Sequence, residues 1–315
     1  MLGAPGRPCQ NATRPGPVRP QRPGLHLSPV APLSATVLTA PILYEMHAHT
    51  PLCHHAQGEP AEYAARAVAR GLRGIVFTCH CPLPDRISAD VRMSPLEYES
   101  YHRLIAETAT RFAGEVDVRV GLESDYYPGV EDWLRNLHDR HPLHHVLGSV
   151  HMQLSHYRAQ YFTGDLFAYQ QLYFDHLAEA AETGLFDTLA HPDLVKNFDP
   201  AAWQFERIEP FIARALDRIA ATGVAMELNT SGLNKSYPEM NPGAAMLALM
   251  RARDIPVVIG ADAHQPERVG DGFAAALSLL EDAGYHETHV VLDRQRQAVP
   301  IAAARASLRD PVDPS

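Results

Sequence analysis

Two short motifs bracket the body of the chain, His47-Ala48-His49 near its start and Asp262-Ala263-His264 toward its end. Side chains two residues apart on an extended strand point to the same side, so each pair can grip one ion or two adjacent ions. Imidazole and carboxylate donors without an evident thiolate cage suit Zn²⁺, Mn²⁺ or Fe²⁺. Metal-assisted hydrolysis is the chemistry such residues serve, because bound ions activate water and neutralise developing charge. Either pair alone is a weak signal, since surface histidines pair by accident.

The rest of the chain strengthens it by position. After residue 40, short apolar runs alternate with longer amphipathic stretches, the pattern of βα units around a parallel sheet. Strands are expected at 41–46, 74–78, 116–122, 145–150, 186–190, 224–228 and 256–260. Helices are expected at 59–70, 94–112, 130–140, 165–183, 203–221, 242–253 and 272–283. Several helices end at a glycine, such as Gly71, Gly114, Gly184 or Gly223, where a left-handed cap carries no Cβ penalty. Six of the seven strands run into a residue able to bind a metal. They deliver His47 and His49 with His55 in the loop beyond, then His80, Glu123, His151, His191, and finally Asp262 with His264. In a parallel barrel all strand C-termini open on one face, so these nine positions would converge. Nine donors exceed what one tetrahedral or octahedral ion uses, and two or three divalent ions are implied.

With 315 residues, 46% hydrophobic and 20% charged, the chain can bury a large core, and residues 41–315 are read as one α/β domain, barrel-like. Its formal net charge of −10 gives no general attraction for polyanions, so nucleic acid is not an expected partner. No apolar run approaches the roughly 20 residues that span a bilayer. Residues 1–40, rich in Pro, Gly and Arg without apolar periodicity, are expected to form a disordered tail. Four cysteines make no disulfide framework in a chain this long, which favours a reducing, cytoplasmic setting. Cys79 and Cys81 flank His80 and would face away from it on an extended strand, as packing residues; Cys53 is open to either role. The histidines outside the nine, such as His102, His138 and His176, read as solvated or structural.

The flanks of the ligands resemble the PHP (polymerase and histidinol phosphatase) superfamily, and more closely its histidinol-phosphate phosphatase branch. The resemblance rests on His47-Ala-His-Thr-Pro-Leu-Cys-His-His55, Phe77-Thr-Cys-His-Cys-Pro-Leu-Pro84, Gly121-Leu-Glu-Ser-Asp-Tyr126, Gly148-Ser-Val-His151, His191-Pro-Asp-Leu-Val-Lys196, Asn229-Thr-Ser-Gly-Leu233 and Gly260-Ala-Asp-Ala-His264. It covers roughly residues 44–285 and implies a distorted, TIM-like (βα)₇ barrel with a metal cluster at the C-terminal ends of the strands. It also implies three ion sites: His47, His49, Glu123 and Asp262; Glu123, His151 and His191; and His55, His80 and His264. Glu123 would bridge two ions and, with Asp262 and His264, form the catalytic set. Two departures stand out. Cys79 replaces a usual acidic residue, and Asn234 a frequent basic one that would help clamp phosphate.

The activity so implied is hydrolysis of L-histidinol phosphate, a small phosphate monoester, to L-histidinol and phosphate in histidine biosynthesis. Phosphate needs fixed cations. The two lysines of the chain, Lys196 and Lys235, follow candidate strands on the presumed site face, and Arg158 and Arg268 lie in loops after strands four and seven. These four are the expected substrate-binding residues, with solvated surface charge as the plain alternative. A related phosphoesterase acting on nucleotides or short oligonucleotides is the nearest rival. A non-catalytic metal-binding module would be expected to lack several ligands, whereas all nine positions are filled.

Overall fold

The computed structural model describes residues 42–309. The expected tail, with Cys9 and His26, lies outside the described residues, as does residue 41. Seven strands pair in parallel and in sequence order: β1 (Tyr44–Ala48), β2 (Gly74–Phe77), β3 (Asp117–Asp125), β4 (His145–Ser149), β5 (Thr188–Leu189), β6 (Ala225–Asn229) and β7 (Val257–Gly260). All but β3 are buried along their whole length, which is why they read as continuous apolar runs and not as alternating patterns.

Backbone bonds close the barrel between the two motifs that bracket the sequence. Ala48 bridges Ala263 in parallel; the His49 N–H donates to the Ala263 carbonyl at 2.9 Å and the Ala263 N–H to the His47 carbonyl at 3.0 Å. Closure therefore fixes His47, His49, Asp262 and His264 relative to one another before any side chain is considered.

The crossover helices are α1 (Pro60–Ala69), α2 (Glu97–Arg111), α3 (Glu131–His138), α4 (Ser155–Tyr161), α5 (Leu166–Glu182), α6 (Phe205–Thr222) and α7 (Ala244–Arg251), followed by α8 (Phe273–Asp282) and α9 (Ile301–Ser307). Their starts follow from local chemistry. Pro60 occupies the first turn of α1, behind a reciprocal capping box between Glu59 and Glu62, and the Asp165 carboxylate accepts the Ala168 N–H at the start of α5. Gly223, at φ 74°, ends α6.

The structure departs from the sequence expectation at several points. β3 runs on through Asp125, so Glu123 sits inside a strand, while β5 shrinks to two residues. α4 is an added turn of helix after the fourth strand. Beyond α8, β8 (Glu287–Leu292) pairs in parallel with β7, and β9 (Gln295–Pro300) folds back antiparallel upon it. That hairpin has no glycine signal. Its turn is Asp293-Arg294, both at positive φ (52° and 60°), the conformation that Asn-Gly usually supplies. β9 is mostly exposed, so no apolar alternation marks it.

Burial pulls four imidazoles away from the nine positions, His102, His138, His145 and His176, down to about 4. A group whose folded pKa lies below its unfolded value near 6.5 stabilises the fold fully above that value, and the contribution fades as pH falls toward the folded pKa. Glu45, pushed by burial up to about 7, and the raised imidazoles of His47, His49 and His151 work the other way in the upper part of this window, while His80, lowered by burial to about 3, adds to the four. Metal-stripped protein is therefore expected to lose urea resistance steadily between about pH 6.5 and about pH 4. A midpoint that stays flat or rises over that window would contradict this reading.

Candidate metal centre

Glu123 lies at the centre of the strand ends, fully buried, and its two oxygens face different imidazoles. Oε2 is 2.9 Å from His80 Nδ1, 3.5 Å from His47 Nε2 and 3.6 Å from His49 Nε2; Oε1 is 2.9 Å from His191 Nε2 and 3.3 Å from His151 Nε2. Burial would raise its pKa, but His80, His151 and His47 hold the carboxyl well below the usual range. Asp262 is the second acidic pole, with Oδ1 3.2 Å from His49 Nε2, 3.5 Å from His47 Nε2 and 3.4 Å from His264 Nδ1. Against its own burial, His47 and Lys235 keep it well below the carboxylate range.

All nine expected ligands come together. Sets of donor atoms within 4.8 Å of one another are His47, His49 and Asp262; His80, Glu123 and His151; and His49, His80 and His264. His191 joins through Glu123, and His55 through His264, whose Nε2 lies 2.9 Å from His55 Nε2. His80 thus stands between two of the three groups.

Buried polar atoms that make no hydrogen bond of proper geometry, even where a carboxylate lies close, concentrate here: His47 Nε2, both ring nitrogens of His49, His80 Nδ1, Glu123 Oε2 and His191 Nδ1. Each such atom carries a desolvation cost of about 1–3 kcal/mol unless something satisfies it. Imidazole lone pairs converging on two carboxylates are the donor set that a divalent cation satisfies. Backbone strain points to the same place. His191 (φ 29°) and Asp262 (φ 51°) both occupy the left-handed region that non-glycine residues avoid, a cost of about 1–3 kcal/mol each that is stored at functional sites.

A second layer aims the ligands. Glu227, buried in the middle of β6, meets His47 Nδ1 at 2.7 Å and accepts the His191 N–H at 2.8 Å and the Asn229 amide at 3.0 Å. Asp125 meets His151 Nδ1 at 3.1 Å and is itself held by Arg92 at 2.7 Å. The Cys53 carbonyl takes His55 Nδ1 at 2.7 Å, and the Asp262 carbonyl takes His264 Nδ1 at 3.1 Å. Each partner fixes a tautomer with Nε2 turned inward. The sequence reading missed Glu227 and Asp125. The available signal was a charged residue inside an apolar run in one case, and a carboxylate two residues beyond Glu123 on the same face in the other. Gly260 permits the arrangement: a Cβ there would lie 2.2 Å from Glu227 Oε1 and 2.7 Å from His47 Cβ.

The four expected substrate cations separate. A cavity of about 500 Å³ opens beside the cluster, lined by His55, Asp262 and His264 with Ser231, Asn234, Lys235, Gln265 and Arg268. Lys235 Nζ lies 3.4 Å from Asp262 Oδ2, and Arg268 pairs with Asp271 at 2.6 Å. Lys196 is a correction. It is fully buried, and its ammonium donates to Asp193 (2.9 Å), Glu239 (3.0 Å) and the Met240 carbonyl (2.7 Å), which uses all three of its protons to tie the segments after β5 and β6 together. Arg158 is also elsewhere, exposed on α4 with its guanidinium 5.3 Å above the Phe198 ring. Cys53, Cys79 and Cys81 are buried free thiols.

A parallel barrel with a histidine and carboxylate cluster at its C-terminal mouth defines a barrel metallohydrolase. Residues 45–231 match the family model described as the PHP domain, and the chain belongs to that family. It is 38% identical over 252 residues to a probable histidinol-phosphatase of Deinococcus radiodurans, covering 77% of this chain and 94% of that protein. It is 28% identical to the histidinol-phosphatase of Bacillus subtilis, covering 73% and 97%. A solved structure of histidinol phosphate phosphatase from Lactococcus lactis, complexed with zinc, L-histidinol and phosphate, superposes with a TM-score of 0.68 at 19% identity, covering 81% of this chain and 98% of that one. At that identity the likeness speaks for the fold, the TIM-like barrel expected from the sequence.

Replacing the orienting carboxylate tests the second layer. Glu227→Gln is expected to weaken metal retention against a chelator, or activity, by about 10- to 100-fold. Unchanged retention and rate would remove Glu227 from the account.

Proposed function

We propose that this chain hydrolyses L-histidinol phosphate to L-histidinol and phosphate, with two or three divalent ions held at the barrel mouth. The observation that carries the metal centre is the concentration around Glu123 of buried donors that make no hydrogen bond of proper geometry. The relatives named above, covered over nearly their whole length, support the substrate. His47, His49, Glu123 and Asp262 would hold one ion, Glu123, His151 and His191 a second, and His55, His80 and His264 a third. Zinc, manganese and iron all suit these donors. When bound, such ions supply activated water and neutralise phosphoryl charge, the main task in a reaction whose uncatalysed rate is among the slowest in biology.

The residues of the chain do the placing. Glu123 and Asp262, both ionised, set the negative framework, and His264 lines the same cavity as Lys235. Lys235 and Arg268 are the cations positioned to meet phosphate oxygens, with Lys235 standing one residue from the position where the related branch often carries its basic residue. Lys196 and Arg158 have no part in this proposal. A cytoplasmic setting agrees with the three buried free thiols.

The test is phosphate release by metal-loaded protein from histidinol phosphate beside a panel of nucleotides and sugar phosphates. A clear preference for histidinol phosphate is expected, and a marked preference for a nucleotide would overturn the substrate assignment. In the same assay Lys235→Met should lower kcat/KM by about 10- to 100-fold through loss of a charge-assisted bond, whereas Arg158→Ala should leave it near the parent value. Equal effects of the two would contradict the placement of the phosphate.

A further inference from the structure

The Cys53 sulfur has no role in the site described above. The residue closes the short 3₁₀ turn Pro51–Cys53 after β1 and is fully buried. A buried thiol is ordinarily a small packing group among apolar neighbours. The surroundings of Cys53 are different. Its sulfur belongs to two sets of potential donors lying within 4.8 Å of one another, one with His55 and His264, the other with His49 and Cys79.

Two of these imidazoles are already turned. Since His55 and His264 each spend Nδ1 on a backbone carbonyl, their Nε2 atoms face one another, 2.9 Å apart, with lone pairs opposed. Such a pair repels unless a cation or an added proton lies between. His49, stacked on His264 with ring centroids 3.9 Å apart, is fully buried and has neither ring nitrogen in a hydrogen bond. The donor set of Cys53, His55 and His264 contains no carboxylate, in contrast to the sets around Glu123 and Asp262. A thiol completing a pair of imidazoles is a zinc-type donor set.

We propose that Cys53 is a thiolate ligand of the ion held by His55 and His264. The inference rests on the metal-centre reading above and deepens it. Binding forms an Sγ–metal bond and releases the thiol proton to solvent, with no change of oxidation state. Sulfur makes this corner selective for thiophilic ions such as Zn²⁺ or Co²⁺ over Mn²⁺, while the carboxylate-rich positions accept harder ions. Cys79 packs behind it, its sulfur 3.2 Å from the Thr50 hydroxyl that donates to it.

Cobalt reports both claims in one spectrum. The full chain with Cys9→Ser, loaded with Co²⁺ in increments, is expected to show ligand-field bands in the visible and a sulfur-to-cobalt charge-transfer band in the near-ultraviolet. Adding Cys53→Ser should abolish the charge-transfer band and keep the visible bands. Cys79→Ser and Cys81→Ser should each retain both, which assigns the band to Cys53 by elimination even where Cys53→Ser folds poorly. Visible bands without charge transfer in the parent, or a band lost with Cys79 or Cys81 instead, would overturn the thiolate ligand and leave the metal centre standing. Absence of all cobalt bands would overturn the metal centre and this ligand together.

Discussion

A carboxylate buried at the mouth of a barrel, with both oxygens facing imidazoles, is the interaction on which this structure turns. Stripped of partners, a buried charge of that kind would cost several kcal/mol and would neutralise itself by taking a proton. Glu123 does the reverse and stays ionised, because five histidines from the ends of four other strands surround it. No local segment could assemble them. Only closure of the parallel sheet, made by backbone bonds between the segments that carry His47–His49 and Asp262–His264, puts residues more than 200 positions apart within reach of one ion.

What surrounds that carboxylate is arranged in layers, each of which constrains the next. Glu227, Asp125 and two backbone carbonyls hold the outer nitrogens of four imidazoles, so ring orientation is set before any ion arrives. Gly260 keeps the space that Glu227 needs, and the left-handed backbone at His191 and Asp262 stores strain that the barrel overdetermines. The two lysines show how placement decides role. Lys196 has all its protons committed inside the protein, while Lys235 lines the cavity beside Asp262.

Much of this was legible in the sequence, and for a physical reason. Parallel strands buried on both faces leave strong apolar runs, and a ligand directly after such a run has its position dictated by the barrel. All nine metal-ligand candidates and all seven barrel strands were readable that way. Side chains of the second layer were harder, since a glutamate inside an apolar strand marks a buried charge without naming its partner, which for Glu227 is His47, 180 residues away. The hairpin of β8 and β9 escaped because Asp293-Arg294 fills a turn that normally announces itself with glycine. Lys196 and Arg158 do not line the cavity beside Asp262, because position after a strand fixes where the backbone goes and not where a long side chain ends.

In the proposed metal centre Glu123 holds two ions, one on each oxygen. Anomalous scattering from crystals of the metal-loaded protein measures this directly. Separate metal peaks are expected on the two sides of Glu123, each about 2.0–2.2 Å from a different oxygen, one flanked by His47 and His49 and the other by His151 and His191. A single peak, or peaks that leave Glu123 uncoordinated, would contradict it.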